Sequence, residues 1–219
     1  MAAADYATSE VHAKGASLAR LVELTEPKPH WRMLDVATGA GHTALAFAPH
    51  VAKVTATDIT TEMLAEAKKL AAARGLANVR TLPAKAEDLP FPDTSFDLDV
   101  APDDALVAGR ISDELRECAG LFNDFKKLSD LSHVRCLGLV EWKTLLSGAG
   151  FTVTHDECLD KEIEFEAWVR RMRSDEATST RLKEMLLAEP LRGFLHSRDA
   201  SSGPDFTLEE GIILAHKPR

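Results

Sequence analysis

The sequence predicts an α/β fold built on a doubly wound, mostly parallel sheet of about six strands, with helices on both faces. Three observations indicate this fold. Short apolar runs alternate with helical patterns through the first half of the chain, as in consecutive β-α-β units. The first run lacks the apolar-polar alternation of a strand with one wet face. A loop that contains Gly39 and Gly41 follows it directly.

The first half has one helix, then strands and helices in alternation. An amphipathic pattern predicts a helix over residues 8–26, and Pro27 ends it. Strands are expected at residues 31–36, 51–57, 78–82 and 95–100, with helices from 42 to 49 and over 62–74. Thr60 or Thr61 can cap the second of these helices, and Gly75 suits the position after its end.

The second half is predicted to be mainly helical, with two strands in it. Helical patterns cover residues 105–127, 139–146, 162–173 and 180–187, whereas 151–155 and 206–215 are typical of strands. Residues 197–205 are rich in turn formers and are expected to form a connector. No segment between 101 and 150 is a convincing strand.

The composition limits the partners that are expected. The chain has 26 basic and 35 acidic residues, a net charge of −9 and no basic cluster, which argues against nucleic acid or an anionic membrane. No apolar run approaches the ~20 residues of a membrane span, and the N-terminus lacks a signal-peptide pattern. Three cysteines without metal-ligand spacing indicate free thiols and a cytoplasmic location, and no metal site is expected.

The end of the first strand has the chemistry of a nucleoside site. Gly39 and Gly41 let the loop turn sharply and allow a ligand to lie against the backbone. The helix that begins near His42 directs N–H groups toward that ligand. Asp35, just before the loop, would repel a pyrophosphate and attract an ammonium group. The combination favours S-adenosylmethionine, a nucleoside that carries an amino acid, over NAD.

A second carboxylate, Asp58, ends the next apolar run, about 20 positions on, where an acid that binds ribose is expected. We expect it to accept hydrogen bonds from both ribose hydroxyls, and Ile59 and Met63 to pack on the adenine. Each residue also has an ordinary structural role open to it, Asp58 as a helix cap and the apolar pair as core. Their occurrence in register favours the site.

These residues resemble those of class I S-adenosylmethionine-dependent methyltransferases, in the branch of the ubiquinone and menaquinone biosynthesis enzymes. The matching segments are 34–42, 54–59 and 86–97, with further similarity at 132–135, 141–146 and 150–151. The resemblance implies methyl transfer to a small-molecule acceptor, with S-adenosylhomocysteine as the product. It implies one Rossmann-like domain over 1–219, made of a helical lid (1–30), a cofactor-binding half (31–100) and a third part (101–219) with acceptor-side helices and the last two strands.

The resemblance also assigns roles to individual residues. The methionine end of the cofactor would be lined by the loop residues Ala37, Thr38, Gly39, Gly41 and His42. Ala86 and Glu87 would border the adenine. The acceptor would be covered by Tyr6 and His12 near the N-terminus and by His133 and Arg135 before helix 139–146, with the two histidines as candidate bases and the other two as acceptor contacts.

Three departures from the family pattern stand out. Ala37 replaces a glycine that many relatives have, and Lys85 stands where an Asp commonly meets the adenine amino group. Residues 101–104, directly after the fourth strand, resemble the segment that follows strand five, although 115–122 resembles the crossover helix that should precede it. The sheet is therefore expected to lose a strand and to keep an unpaired edge, which lowers stability or allows a homodimer.

Two other functions remain open from the sequence alone. A non-catalytic protein could keep the cofactor site and lack turnover because its centre is shortened. A nicotinamide-dependent oxidoreductase is disfavoured by the acid before the loop and by Ala44 in place of a third glycine.

Overall fold

The computed structural model describes residues 16–101, 113–131, 133–200 and 203–216, which form two compact units divided near residue 102. The N-terminal unit contains α1 (Ala16–Thr25), β1 (Arg32–Asp35), α2 (His42–Phe47), β2 (Lys53–Asp58), α3 (Thr61–Ala73), β3 (Val79–Pro83) and β4 (Leu98–Val100). The C-terminal unit contains α4 (Asp113–Ser129), α5 (Leu139–Gly148), β5 (Thr152–Ile163), α6 (Phe165–Met172), α7 (Glu176–Leu187), α8 (Leu191–Phe194), β6 (Arg198–Ala200) and β7 (Gly203–His216).

The N-terminal unit is a four-stranded parallel sheet in the order β3-β2-β1-β4. Asp35, the last residue of β1, pairs with Ala56 of β2 on one side and Val100 of β4 on the other. The core of the unit is apolar and includes Met33 and Phe47, both fully buried. The predicted α/β fold class is confirmed, because strands and helices alternate in this unit and its four strands are parallel.

The C-terminal unit is an antiparallel sheet in the order β5-β7-β6, packed with helices. Its core is an aromatic cluster in which the ring centroids of Phe125 and Trp168 lie 5.2 Å apart and those of Trp168 and Phe206 lie 5.4 Å apart. The described strands thus form one parallel and one antiparallel sheet, and not a single sheet of about six. The described residues between 101 and 150 form two helices and supply no strand.

Two boundaries in the C-terminal unit differ from the sequence prediction. The strand expected at 151–155 continues to Ile163, because its residues pair with β7 as far as Phe206, with one register shift between Val153 and His155. This pairing places residues 162 and 163 in the strand and delays the helix expected from 162 until Phe165. The connector expected at 197–205 contains the hairpin between β6 and β7, which sequence patterning missed because its turn formers also suit a tight hairpin. No helix within the described ranges is long and apolar enough to cross a bilayer.

Helix packing, as well as the loop conformation, favours glycine at position 41. Gly41 precedes α2 with a φ of +86°, a conformation that favours glycine. A Cβ at this position would lie 2.8 Å from the Cβ of Ala67 and 3.3 Å from its Cα, in α3. The absence of a side chain therefore allows α2 and α3 to approach each other closely.

We expect Gly41→Ala to lower the free energy of unfolding by about 2–4 kcal/mol, from left-handed backbone strain plus overpacking. Gly75→Ala is the matched control, because Gly75 has a φ of +69° and no atom within 4 Å of a Cβ. That control should cost only about 1 kcal/mol, for the strain. Urea unfolding of both variants measures the difference, and equal costs would contradict the packing role.

Candidate cofactor site

The carboxyl ends of β1, β2 and β3 bring the predicted cofactor residues to one edge of the parallel sheet. Asp35 is the last residue of β1 and Asp58 the last of β2. The N–H of Ala84, just after β3, donates to the main-chain oxygen of Asp58 at 3.1 Å. Residues that are far apart in sequence therefore lie on the same edge.

The Asp35 side chain is fully buried, and only one of its two carboxylate oxygens accepts hydrogen bonds from the described residues. Its Oδ2 accepts hydrogen bonds from Thr38 Oγ1 at 2.5 Å and from the N–H of Ala44 at 2.9 Å. Its Oδ1 is equally buried and has no hydrogen-bond partner in the described part of the chain. A buried carboxylate oxygen without a donor is costly, so this atom indicates a ligand group that donates to it. The contribution of Ala44 is a backbone N–H, which residue identity could not reveal.

The pKa of Asp35 is raised from its usual range to about 7, chiefly by burial and to a lesser extent by the nearby charge of Asp58, although the hydrogen bonds from Thr38 and Ala44 oppose the shift. The carboxyl therefore exchanges its proton near neutral pH. A cation placed against Oδ1 would favour the ionised form.

The loop between β1 and α2 turns through three residues with positive φ, which are Ala37, Gly39 and Gly41. The N–H of Thr38 donates to Thr57 at 2.8 Å, and the N–H of Gly41 donates back to Thr38 at 2.9 Å. Ala37 has a φ of +54°, and this left-handed conformation costs about 1 kcal/mol of backbone strain that a glycine would avoid. This explains why a glycine suits the position.

The helix start contributes to the site differently from the sequence prediction. His42 begins α2 and is buried, but α2 has only six residues. The N–H of Ala44 in its first turn donates to Asp35. This donor, which was expected to face a ligand, instead fixes the carboxylate that would face it.

Asp58 joins two loops at the end of β2. Its Oδ2 accepts from the N–H of Gly39 and its Oδ1 from the N–H of Thr60, both at 2.8 Å. Thr60 occupies the cap position of α3, yet its own side chain makes no capping bond. Each carboxylate oxygen can accept a second hydrogen bond, so the structural role of Asp58 is compatible with ribose binding.

The residues expected near adenine are accessible in the N-terminal unit. Ile59 is 69% exposed, although it directly follows a buried strand, and Met63 is half-buried. Lys85 and Asp88 form a bridge with the N–H of Asp88 donating to Lys85 at 3.2 Å. The tip of this turn carries the exposed residues Ala86 and Glu87.

The acceptor candidates are distributed differently. Tyr6 and His12 lie outside the described residues. His133 and Arg135 belong to the loop between α4 and α5 in the C-terminal unit, where Arg135 is exposed and pairs with Glu141 at 2.8 Å. His133 contacts Asn123 at 3.0 Å, a partner that sequence reasoning missed because nothing marks Asn123 within its helical pattern.

Comparisons with known proteins identify the family of the chain. A family model described as a methyltransferase domain matches residues 33–121. The Bacillus subtilis protein YcgJ, named an uncharacterized methyltransferase, is 32% identical over 189 residues, which are 76% of this chain and 75% of that protein.

The chain belongs to the class I S-adenosylmethionine-dependent methyltransferases.

Two further similarities show how far the relation extends. The crystal structure of a candidate methyltransferase from Bacillus halodurans matches this methyltransferase with a TM-score of 0.83 and 26% identity, over 94% of this chain and 100% of that chain. The demethylmenaquinone methyltransferase of Thermus thermophilus is 46% identical over 80 residues, but these are only 36% of each protein. This higher local identity therefore covers only about a third of the methyltransferase.

The pKa of Asp35 can be tested without any ligand. The folded chain binds this proton more tightly than the unfolded chain, in which the pKa is near 3.9, so the contribution of Asp35 to stability is full near pH 4 and is lost as pH rises to about 7. We expect the free energy of unfolding of the wild type, relative to Asp35→Asn, to fall by about 1.4 kcal/mol per pH unit across this window. Urea unfolding at several pH values measures it, and a constant difference would contradict the shift.

Proposed function

We propose that this methyltransferase transfers the methyl group of S-adenosylmethionine to a small-molecule acceptor by in-line displacement. The single observation that carries the proposal is the buried Oδ1 of Asp35, which has no donor in the described residues and lies at the strand end next to the glycine loop. An ammonium group supplies the donor and the charge that this oxygen needs. The amino group of the methionine end of the cofactor has both properties.

We assign the rest of the cofactor to residues on the same edge. The methionine end would lie along the loop of Ala37, Thr38, Gly39, Gly41 and His42. Asp58 would accept from the ribose hydroxyls with its remaining lone pairs. Ile59 and Met63 would contact the adenine face, with Ala86 and Glu87 at its border. The exposure of Ile59 supports this assignment, because an apolar side chain gains stability when an adenine covers it.

The bound cofactor supplies an activated methyl group, and the task of the protein is proximity, orientation and exclusion of water. A base is needed only where the acceptor must lose a proton. His12 and His133 are the proposed bases, and Tyr6 and Arg135 the proposed acceptor contacts. In the proposed organisation, the segment 1–30 acts as the lid of one domain over 1–219.

The remaining proposals concern the setting of the enzyme. The three cysteines form no disulfide, which supports a reducing cytoplasm. A homodimer through an unpaired edge stays part of the proposal. The acceptor is proposed only as a small molecule, because the similarity to the menaquinone enzyme covers 36% of either chain.

The proposed contact between Asp35 and the methionine amino group can be isolated with two ligands. S-adenosylhomocysteine carries this amino group, whereas 5′-methylthioadenosine has the same nucleoside without it. Calorimetry at pH 7.5 should show that Asp35→Asn weakens S-adenosylhomocysteine by about tenfold to a hundredfold. The same variant should change the Kd of methylthioadenosine by less than about threefold.

The pH dependence gives an independent check. Binding of the ammonium group needs the ionised carboxylate, so the affinity of the wild type for S-adenosylhomocysteine should fall about tenfold per unit below pH 7. Asp35→Asn should show no such fall. Asp93→Asn, at an exposed acid of the same unit, is the surface control. Equal losses for the two ligands would contradict the assignment of Asp35, and absence of binding to a folded wild type would contradict the proposed function.

Ile59→Ser tests the adenine contact. Because the side chain is already 69% exposed, the variant should keep the wild-type Tm within about 1 °C. Because the apolar contact with adenine is lost, the variant should raise the Kd values of S-adenosylhomocysteine and methylthioadenosine equally, by about threefold to tenfold. Leu145→Ser, at a 55% exposed leucine of the C-terminal unit, should leave both Kd values unchanged. An unchanged affinity in Ile59→Ser would exclude the contact.

A further inference from the structure

The hydroxyl of Thr38 makes the two oxygens of the Asp35 carboxylate different from each other. Thr38 Oγ1 and the N–H of Ala44 both donate to Oδ2, whereas Oδ1 has no donor among the described residues. A proton on Oδ2 would lie against the N–H of Ala44, which can only donate. A proton that Asp35 takes up therefore binds at Oδ1, the same atom that the ammonium group of the ligand requires.

The backbone of Thr38 is held in place independently of its side chain. Its N–H donates to the main-chain oxygen of Thr57 at 2.8 Å, and its main-chain oxygen accepts from the N–H of Gly41 at 2.9 Å. The side chain is more than nine-tenths buried, so its hydroxyl needs the partner that Asp35 provides. A valine of similar shape at this position would therefore remove the hydroxyl and keep the loop.

We propose that Thr38 is a positioning residue for the cofactor, which by occupying Oδ2 leaves Oδ1 as the atom for which a proton and the ammonium group of the cofactor compete. This inference rests on the proposed function. When the cofactor binds, the O–H bond at Oδ1 breaks, its electron pair stays on the carboxylate and the proton passes to the solvent. An N–H of the ammonium group then donates to the ionised Oδ1.

The titratable groups on the elements next to Asp35 stay the same in the variants that test this proposal. Burial is the main cause of the raised pKa of Asp35, and the charge of Asp58 at the end of β2 adds to it. His42 begins α2, and Asp99 of β4 pairs with the residue before Asp35. A substitution at position 38 retains all of these groups, so its effect reports the bond between Thr38 and Asp35.

The first test counts the protons released when S-adenosylhomocysteine binds, by calorimetry at pH 7.5 in buffers of different ionisation enthalpy. With a pKa of about 7, Asp35 should release about a quarter of a proton. Thr38→Val removes a hydrogen bond that favours the ionised form, so the pKa should rise by about one unit and the release to about three quarters. Thr38→Ser keeps the hydroxyl and should release the wild-type number. Asp35→Asn gives the background from all other groups.

The same variant should distinguish the two ligands. Thr38→Val should raise the Kd of S-adenosylhomocysteine about threefold at pH 7.5 and about tenfold at pH 6, and its Kd should approach the wild-type value near pH 9. The Kd of methylthioadenosine, which lacks the ammonium group, should change by less than about twofold at each pH.

Thr57→Val is the matched control, because Thr57 Oγ1 donates at 3.1 Å to the main-chain oxygen of Asp35 and not to its carboxylate. It also removes a buried hydroxyl. This control should keep the proton release and both Kd values of the wild type. A Thr38→Val variant that releases the wild-type number of protons, or that binds both ligands more weakly by one factor at every pH, would overturn the proposal.

Urea unfolding without a ligand separates this inference from the proposed function. The folded chain holds the Asp35 proton more tightly than the unfolded chain, so its contribution to stability is lost as pH rises to the pKa of the folded state. Thr38→Val, compared with Asp35→Asn/Thr38→Val, should keep this contribution up to about pH 8, against about pH 7 in the wild type. An unchanged limit would overturn the role of Thr38. A folded wild type that binds no S-adenosylhomocysteine would instead contradict the proposed function.

Discussion

The buried carboxylate of Asp35 is the main constraint on the edge of the parallel sheet where β1, β2 and β3 end. We call this edge, which carries the proposed cofactor site, the cofactor edge. One oxygen of the carboxylate connects the loop and the first turn of α2 through Thr38 and Ala44. The main-chain oxygen of Asp35 accepts from Thr57 Oγ1 in β2 at 3.1 Å. The loop and α2 therefore offset part of the cost of burying the carboxylate, while its second oxygen keeps the requirement for a donor. This open requirement supports the proposal that the ligand carries a cationic donor.

Asp58 completes this arrangement from the neighbouring strand. Because it accepts from Gly39 and Thr60, it joins the loop after β1 to the loop after β2. Backbone donors thus hold both loops in place without a ligand. Such preorganisation lowers the entropic cost of binding, so that more of the interaction energy contributes to affinity. The strain at Ala37 is a local cost of the same loop.

The C-terminal unit is organised around an aromatic core. Its helices and its antiparallel sheet surround an aromatic cluster, in which Phe125, Trp168 and Phe206 are buried. Trp168 is thus part of a packed core, which is the commoner role of such a residue. The loop that carries His133 and Arg135 is held by side chains of α4 and by the Arg135–Glu141 pair. Candidate chemical groups therefore lie on a loop whose conformation is specified by hydrogen bonds.

The local sequence was sufficient for the first half of the fold. Apolar runs, a glycine loop and two acids at strand ends predicted β1 to β3, their helices and the places of Asp35 and Asp58, because these features depend on short-range patterning. It was insufficient where long-range pairing decides the outcome. The extension of β5 to Ile163 arises from pairing with β7, whose residues lie more than 40 positions further along the chain. The pairing of β6 with β7 is local, and it was missed for a different reason, because its turn formers also suit a connector.

The sequence by itself determined the class of fold, the family resemblance and the residue types at the cofactor edge. Tertiary structure alone decided that Gly41 serves the contact with Ala67, that Ala44 satisfies one oxygen of Asp35, and that Asn123 faces His133. Each of these depends on a distance between atoms of different elements, or on a backbone N–H that every residue type except proline possesses. The identity of a residue does not reveal such distances, because they are set only when the chain folds.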